Sequence, residues 1–444
     1  MRRLDISMSK AITDTGTGTK AGGFSGIDYL KITVFGFALS ALWGSLHSII
    51  LPVRILDFVA ESQKNAYLGL LTFAGLIVAM IWQPIAGRLS DRSGYSWGRR
   101  RPYVLIGTIL ALLFIPGIGL AGNYIVIFVI YCLLQASGNT AQSGYQGFIP
   151  DLVPEGKMGL ASGVKVLLEI GGGIALLGLI GPFMDRYFAG KEGSWLWLNL
   201  EGGSWLWLSL GLLAIILLGA MIATVLTVKE PPGTGAPKLS LPSLLYTTFK
   251  IDVKAHRNFV WFLVSRLFIV MALAPLQTFM LYFLQDVAGV PNPAEVTANL
   301  LIVVGITMLA VIYPAGRLSD RVGRKPIGVF AGLLGALGIL LLYFFRDSYG
   351  SIMCAGVLLG VCTGAFFSTN WALATDLVVK GEEARYLGLT NLATAGGAAL
   401  ARLIGPMIDF FNARSPGLGY DVMLLACFVY FLVGSGMLLK IKLR

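Results

Sequence analysis

Charge and histidine are what this sequence has least of. Only 13% of its 444 residues are Asp, Glu, Lys or Arg, and only two are His, at 47 and 256. A soluble globular domain carries about 25% charged residues, so a water-soluble chain with a charged surface is excluded. Two histidines so far apart leave no His-based metal site. The four cysteines, Cys132, Cys354, Cys362 and Cys427, fall in apolar stretches without paired or metal-ligand spacing. They read as small core residues, with no disulfide among them. HExxH and the GxxxxGK[ST] phosphate loop are missing. No nucleophile, base and metal set is present, so the sequence does not read as an enzyme and asks for no cofactor.

What is abundant is apolar surface: 56% of the chain is hydrophobic and its mean hydropathy is +0.77, which places it among polytopic membrane proteins. A spanning helix needs about 20 apolar residues, and twelve stretches qualify. They are 30–52, 66–87, 103–121, 124–148, 159–184 and 204–228 in the first half, then 259–284, 296–316, 326–345, 350–375, 386–409 and 421–440 in the second. The expected architecture is an all-α membrane protein of two six-helix halves, 27–228 and 259–444. A polar tail over 1–26, expected to be disordered, precedes them, and a linker over 229–258 joins them.

The net charge of +11 is explained by topology. With the N-terminus placed in the cytoplasm, only Arg54, Lys64, Arg186, Lys191, Arg346 and Arg414 fall on the far face, while Arg266 and Arg402 lie within spans. Every other Lys and Arg falls in a cytoplasmic segment or, like Lys165, in the cytoplasmic part of a span. The positive-inside rule therefore puts both termini in the cytoplasm of a cell-membrane protein, and the basic balance implies no nucleic-acid partner.

The chain is doubled. GRLSDRSGYSWGRRRP, from Gly87 to Pro102, returns as GRLSDRVGRKP, from Gly316 to Pro326. PDLVPEGKMGLASG after the fourth span is answered by TDLVVKGEEARYLGLTN after the tenth, which pairs Asp151 with Asp376. Spans 5 and 11 both end on Gly-Pro-x-x-Asp, at Gly181 to Asp185 and Gly405 to Asp409. Parallel six-helix repeats suit a carrier with its site between the halves. A further tandem copy, GSWLWLNLEG at 193–202 followed by GSWLWLSLGL, holds four of the nine Trp. It reads as an aromatic interfacial belt.

GRLSDRVGRKP resembles the loop signature of the major facilitator superfamily. The longer first copy, DRSGYSWGRRRPY, is similar to that of sucrose carriers and glycoside-pentoside-hexuronide cation symporters. The resemblance implies that Gly87 and Gly316 allow close helix approach, and that Asp91 and Asp320 sit at helix N-termini and pair with Arg. The gating and latch set is then Gly87, Asp91, Arg92, Arg101, Gly316, Asp320, Arg321 and Arg324. It also implies solute uptake with a proton or cation. Carriers of the melibiose type place Asp in helices 2 and 4, and plant sucrose carriers place charges in helices 4 and 8; this chain has neither, which favours protons.

Ionisable groups inside spans cost about 2.5 to 3.5 kcal/mol each at a helix centre, so they select the site. Glu169 and Lys165 share one helical face and are the expected proton-coupling pair. Arg266 is a candidate gate. On helix 4, Gln135, Asn139, Gln142 and Gln146 form one polar stripe. Helix 1 adds Ser40, Trp43 and His47, helix 7 adds Gln277, helix 10 adds Thr363, Asn370 and Trp371, and helix 11 adds Asn391, Thr394 and Arg402. Amides and indoles in one cavity suit a hydroxyl-rich solute such as a sugar. The expected function is a monomeric, proton-coupled sugar or glycoside symporter in the lipid bilayer. The alternatives are an exporter of amphipathic compounds, or a non-transporting assembly or sensor protein with the carrier fold.

Overall fold

The computed structural model describes residues 25–154, 156–195, 198–233, 256–377 and 383–441. Most of the tail expected over 1–26 and of the linker expected over 229–258 lies outside them. Twelve long helices run through the described residues: α1 Gly26–Ile55, α2 Glu61–Asp91, α3 Arg101–Leu120, α4 Tyr124–Leu152, α5 Met158–Phe188, α6 Ser204–Thr227, α7 Arg257–Asp286 and α8 Pro293–Val322. The remaining four are α9 Arg324–Phe344, α10 Tyr349–Leu377, α11 Glu383–Arg402 with its continuation Gly405–Asn412, and α12 Leu418–Leu439. All except α11 are long and apolar enough to cross a membrane. The polar load of α11, which includes Asn391, Thr394 and Arg402, keeps it below that threshold.

Helices are the expected solution here, because a backbone in hydrocarbon must satisfy its N–H and C=O groups within the segment. Three of them are interrupted. The first passes through a π-helical turn at Leu46–Ile50, the fifth breaks between Ala175 and Leu177, and the eleventh breaks between Arg402 and Gly405. Such breaks in lipid-spanning helices are tolerated where they line a cavity or are buried in protein.

The sequence repeat is also a packing repeat. In the first half α1 lies on α5, α2 and α3 on α4, and α6 covers α1 and α3. In the second, α7 lies on α11, α8 and α9 on α10, and α12 covers α7 and α9. The halves meet mainly along two seams, α2 with α11 and α5 with α8, with a smaller contact between α1 and α7.

The tandem tryptophan repeat takes two different structures. Its first copy pairs as an antiparallel hairpin, β1 Gly193–Trp195 with β2 Leu198–Leu200, whereas the second copy opens α6 at Ser204. Local sequence being the same, tertiary surroundings decide. The interfacial-belt expectation fails for Trp205, which is fully buried. Its indole donates to the Lys191 carbonyl at 3.0 Å, with Phe183 5.4 Å and the Arg186 guanidinium 4.6 Å from its ring.

Candidate functional site

Polar contacts between the halves cluster at the end of the bundle opposite the chain termini. Two of them are repeats of each other. Asp185, on α5, accepts from the backbone N–H groups of Ala294 (2.9 Å) and Glu295 (2.7 Å), the first turn of α8. Asp409, on α11, accepts from Ala66 N–H (2.6 Å) and the Asn65 amide (2.8 Å) at the start of α2. Each carboxylate thus caps a helix of the other half, where the positive end of the macrodipole and unpaired N–H groups favour an anion. The glycine four residues earlier makes the approach possible: a Cβ at Gly181 would lie 2.8 Å from the Ala298 side chain, and one at Gly405 would lie 2.2 Å from the Asn65 carbonyl. Lys64 adds an ion pair to Asp286 at 2.7 Å, and the Tyr282 hydroxyl donates to the Pro52 carbonyl at 2.7 Å. Sequence reading found the Gly-Pro-x-x-Asp repeat but gave it no role, because neither partner helix is near it in the chain.

Below this seal the first half gathers a polar cluster. The Tyr131 hydroxyl lies 2.8 Å from His47 Nε2 and accepts from the Gln135 amide at 2.7 Å, while Asn139 donates to Gln135 Oε1 at 3.2 Å. Trp43 stacks on His47 with 5.3 Å between ring centres, and its indole fills the space a side chain at Gly138 would need. Four residues expected at the site, Trp43, His47, Gln135 and Asn139, therefore do come together. Tyr131 was missed; it lies one turn before Gln135 on the same stripe. Gln142 is half-buried, and Gln146, further toward the terminal face, is exposed and accepts from Gln83 at 3.2 Å.

Glu169 and Lys165 stand 3.7 Å apart and are about one third and one quarter exposed. The Lys165 ammonium lies 5.3 Å from the centre of the Tyr145 ring. The Tyr145 hydroxyl and the Glu169 side chain both occupy the space a Cβ at Gly36 would need, so the three helices α1, α4 and α5 meet around this carboxylate.

The second half lines a half-open cavity of about 300 Å³. Apart from Gln277, Thr363 and Arg402 its lining is apolar. Gln277 is exposed amid buried neighbours, which places its amide in the cavity. Arg402 is 4% exposed, donates to the Ala398 carbonyl at 2.7 Å, and has no acceptor for its buried Nε. Arg266, equally buried, donates through Nε to Thr394 at 2.7 Å and through Nη1 to the Asn370 carbonyl oxygen. It lies near the faces of Phe367 and Trp371. Asn391 is exposed and joins no hydrogen bond among the described residues.

The signature loops carry ion pairs, though not all those the resemblance implied. Asp91 pairs with Arg100, at 2.5 Å. Arg101 instead donates to the carbonyls of Trp97 and Val225, and Arg92 has no such partner among the described residues. Nor does Asp91 cap a helix: it ends α2. The carboxylate at the N-terminus of α3 is Glu230, which accepts from Arg100 N–H and Arg101 N–H at 3.2 and 2.9 Å. Burial pushes the Glu230 carboxyl above its ordinary range in spite of those two bonds. Close approach also fails at Gly87, where a Cβ would meet nothing nearer than Ser143 at 3.9 Å. It holds at Gly316, where Ser368 Oγ would be 2.9 Å away.

The Asp151 and Asp376 equivalence read from the repeat is structural. Arg100 donates to Asp151 at 2.8 Å, and Arg324, at the same point of the second half, pairs with Asp376. Asp320 and Arg321 are exposed and have no ion-pair partner among the described residues. Arg100 is nearly buried, and its two acids join the ends of α2 and α4 to the start of α3. Arg100→Gln is therefore expected to lower stability by about 1 to 3 kcal/mol, a loss held to that size because Asp91 is half exposed and Asp151 keeps its two hydrogen bonds from Arg99. Arg92→Gln should stay within about 0.5 kcal/mol. Thermal unfolding of the two purified variants in detergent separates these values.

Comparison with known proteins gives a consistent family. The family model described as MFS/sugar transport protein matches residues 38–441. The putative metabolite transport protein YwtG of Bacillus subtilis is 22% identical over 411 residues, 84% of this chain and 85% of that protein. The multi-drug resistance efflux pump PmrA of Streptococcus pneumoniae is 23% identical over 412 residues, 90% and 92% of the two chains. Among solved structures, a D-xylose-proton symporter superposes with a TM-score of 0.72 at 16% identity, covering 94% of this chain and 98% of the other.

Proposed function

This chain belongs to the MFS/sugar transport protein family and is a multi-pass membrane transporter of small solutes, not an enzyme; from that premise we propose that it is a proton-coupled symporter for a sugar or glycoside, working by alternating access. The observation that carries this reading is a bundle sealed between its halves at one end, with a cavity and the polar groups of both halves beneath the seal. By the positive-inside rule the terminal face is cytoplasmic, which makes the present conformation inward-facing. Its solute site comprises Trp43, His47, Gln135, Asn139 and Gln142 from the first half, with Gln277, Asn370, Trp371, Asn391 and Arg402 from the second.

Glu169 is the coupling acid in this reading. Among the described residues it is the one spanning carboxylate away from the seal and the loops, and Lys165 and Tyr145 hold it beside α1. A proton taken up from outside neutralises it, releases the pull on Lys165 and favours closure around the solute; opening to the cytoplasm returns the proton there. The Arg100 and Arg324 ion pairs keep each half rigid as it rocks. The Asp91 and Asp320 loops act as latches in this cycle, and Arg266 acts as a gate on the cytoplasmic side. A monomer contains all these parts.

A second reading, an exporter of amphipathic compounds, is favoured by the largely apolar lining of the cavity and by the similarity to PmrA. Counterflow separates the two. Proteoliposomes preloaded with unlabelled mono- or disaccharide are expected to take up the labelled sugar transiently above its outside concentration. Overshoot with a lipophilic cation such as labelled tetraphenylphosphonium, and with none of the sugars, would favour the exporter.

A further inference from the structure

The charges buried in the second half do not balance. Arg266 and Arg402 are each 4% exposed, and neither has a carboxylate partner among the described residues. The spanning acids are committed elsewhere: Glu169 stands with Lys165, while Asp185, Asp286 and Asp409 hold the seal. A buried cation is stable when an anion or a set of acceptors answers it. Arg266 receives two neutral oxygens, from Asn370 and Thr394. Arg402 receives one carbonyl, that of Ala398, together with the negative end of its own helix. Donors are left over: Arg402 Nε and Asn370 Nδ2 are buried without an acceptor.

The surplus faces the cavity. Arg402 lines it, and Gln277 and Thr363 supply the rest of its polar wall. Arg266 lies one helical turn before Val270, which lines the cavity from α7, and Phe367 both lines it and lies beneath the Arg266 guanidinium. What this wall lacks is an oxyanion, for which a guanidinium offers parallel charge-assisted hydrogen bonds. We infer that the solute carries an anionic group, a carboxylate or a phosphate, which Arg402 binds and Arg266 attracts from the terminal-face side. This rests on the cavity being the solute site, and it holds whether or not the rest of the solute is a sugar.

The test is thermal unfolding of the full chain in nanodiscs at fixed ionic strength in chloride. The probes, at about 10 mM, are D-gluconate, inorganic phosphate, and neutral sorbitol and D-glucose; a ligand of the folded state alone raises the midpoint. Gluconate or phosphate is expected to raise the midpoint of the parent by several degrees more than either neutral compound. Arg402→Gln should abolish that difference, and Arg402→Lys should retain part of it. Without ligand, Arg402→Gln should unfold no earlier than the parent, since an unpaired buried charge has gone. Should it not fold, Arg402→Lys and Arg266→Gln carry the comparison, each with a reduced anion shift. The inference is overturned if neither anion stabilises the parent beyond the neutral compounds, or if the shift is unchanged in the Arg402 variants. Stabilisation by glucose alike in parent and variants would leave the sugar reading standing and remove this one. Stabilisation by phosphate but by no compound with a sugar-like skeleton would do the reverse.

Discussion

Replacing Asp185 and Asp409 together by Asn will open the sealed end of the bundle. Asp185 accepts two hydrogen bonds and Asp409 three from the start of a helix in the other half, and these bonds cannot persist once the halves rock apart. They are therefore contacts of one state only, and weakening them moves the equilibrium between states. A charge-assisted bond contributes about 1.5 to 3 kcal/mol. Asn keeps a carbonyl acceptor but loses the charge, so the two changes should together shift the balance by about 3 kcal/mol, or roughly a hundredfold. Spin labels at Glu61→Cys and Ser415→Cys, both exposed near the α2 and α11 seam, with the four native cysteines replaced by Ala, read the outcome. The otherwise unaltered chain should give mainly a short distance, and the double variant mainly a longer one. An unchanged distribution would mean that Lys64, Tyr282 and the apolar seam hold this end without the two caps.

Glu169→Gln will abolish accumulation while leaving exchange intact. Each pH unit of gradient is worth about 1.36 kcal/mol per proton, so one coupled proton supports about tenfold accumulation per unit. A glutamine occupies the same space without exchanging a proton, so labelled solute should reach only its outside concentration in the variant. Counterflow requires no net proton movement and should continue. The fold should tolerate the change: the Lys165 pair is partly exposed and is worth about 0 to 1 kcal/mol, and the Lys165 ammonium keeps its place over Tyr145. Equal accumulation in parent and variant would remove Glu169 from the coupling.

The twelve helices and their doubling were legible because both are written in one dimension, as apolar runs and as a repeated phrase. Helix ends were less so: α7 and α8 each run to 30 residues, since a helix continues past the lipid until its sequence stops it. Neighbours along one helix face were also legible, which is why Gln135 and Asn139, a turn apart on α4, were placed in one cluster. Partners across the bundle were not. The choice of Arg100 over Arg92 and Arg101 depends on which of the four arginines in one loop turn toward the acids: Arg100 reaches both Asp91 and Asp151, and Arg99 reaches Asp151 alone. The capping of α8 by Asp185 and of α2 by Asp409 joins groups more than a hundred residues apart. For GSWLWL no local rule could have told the hairpin copy from the helical one.

Tracer uptake of sugar by the parent protein in proteoliposomes, with an inward proton gradient imposed and then collapsed by a protonophore, tests proton coupling most directly. Accumulation above the outside concentration that rises about tenfold per pH unit and vanishes on collapse is the predicted result. Sugar that merely equilibrates, at the same rate with and without the gradient, would contradict proton coupling and leave a facilitated-diffusion carrier in its place.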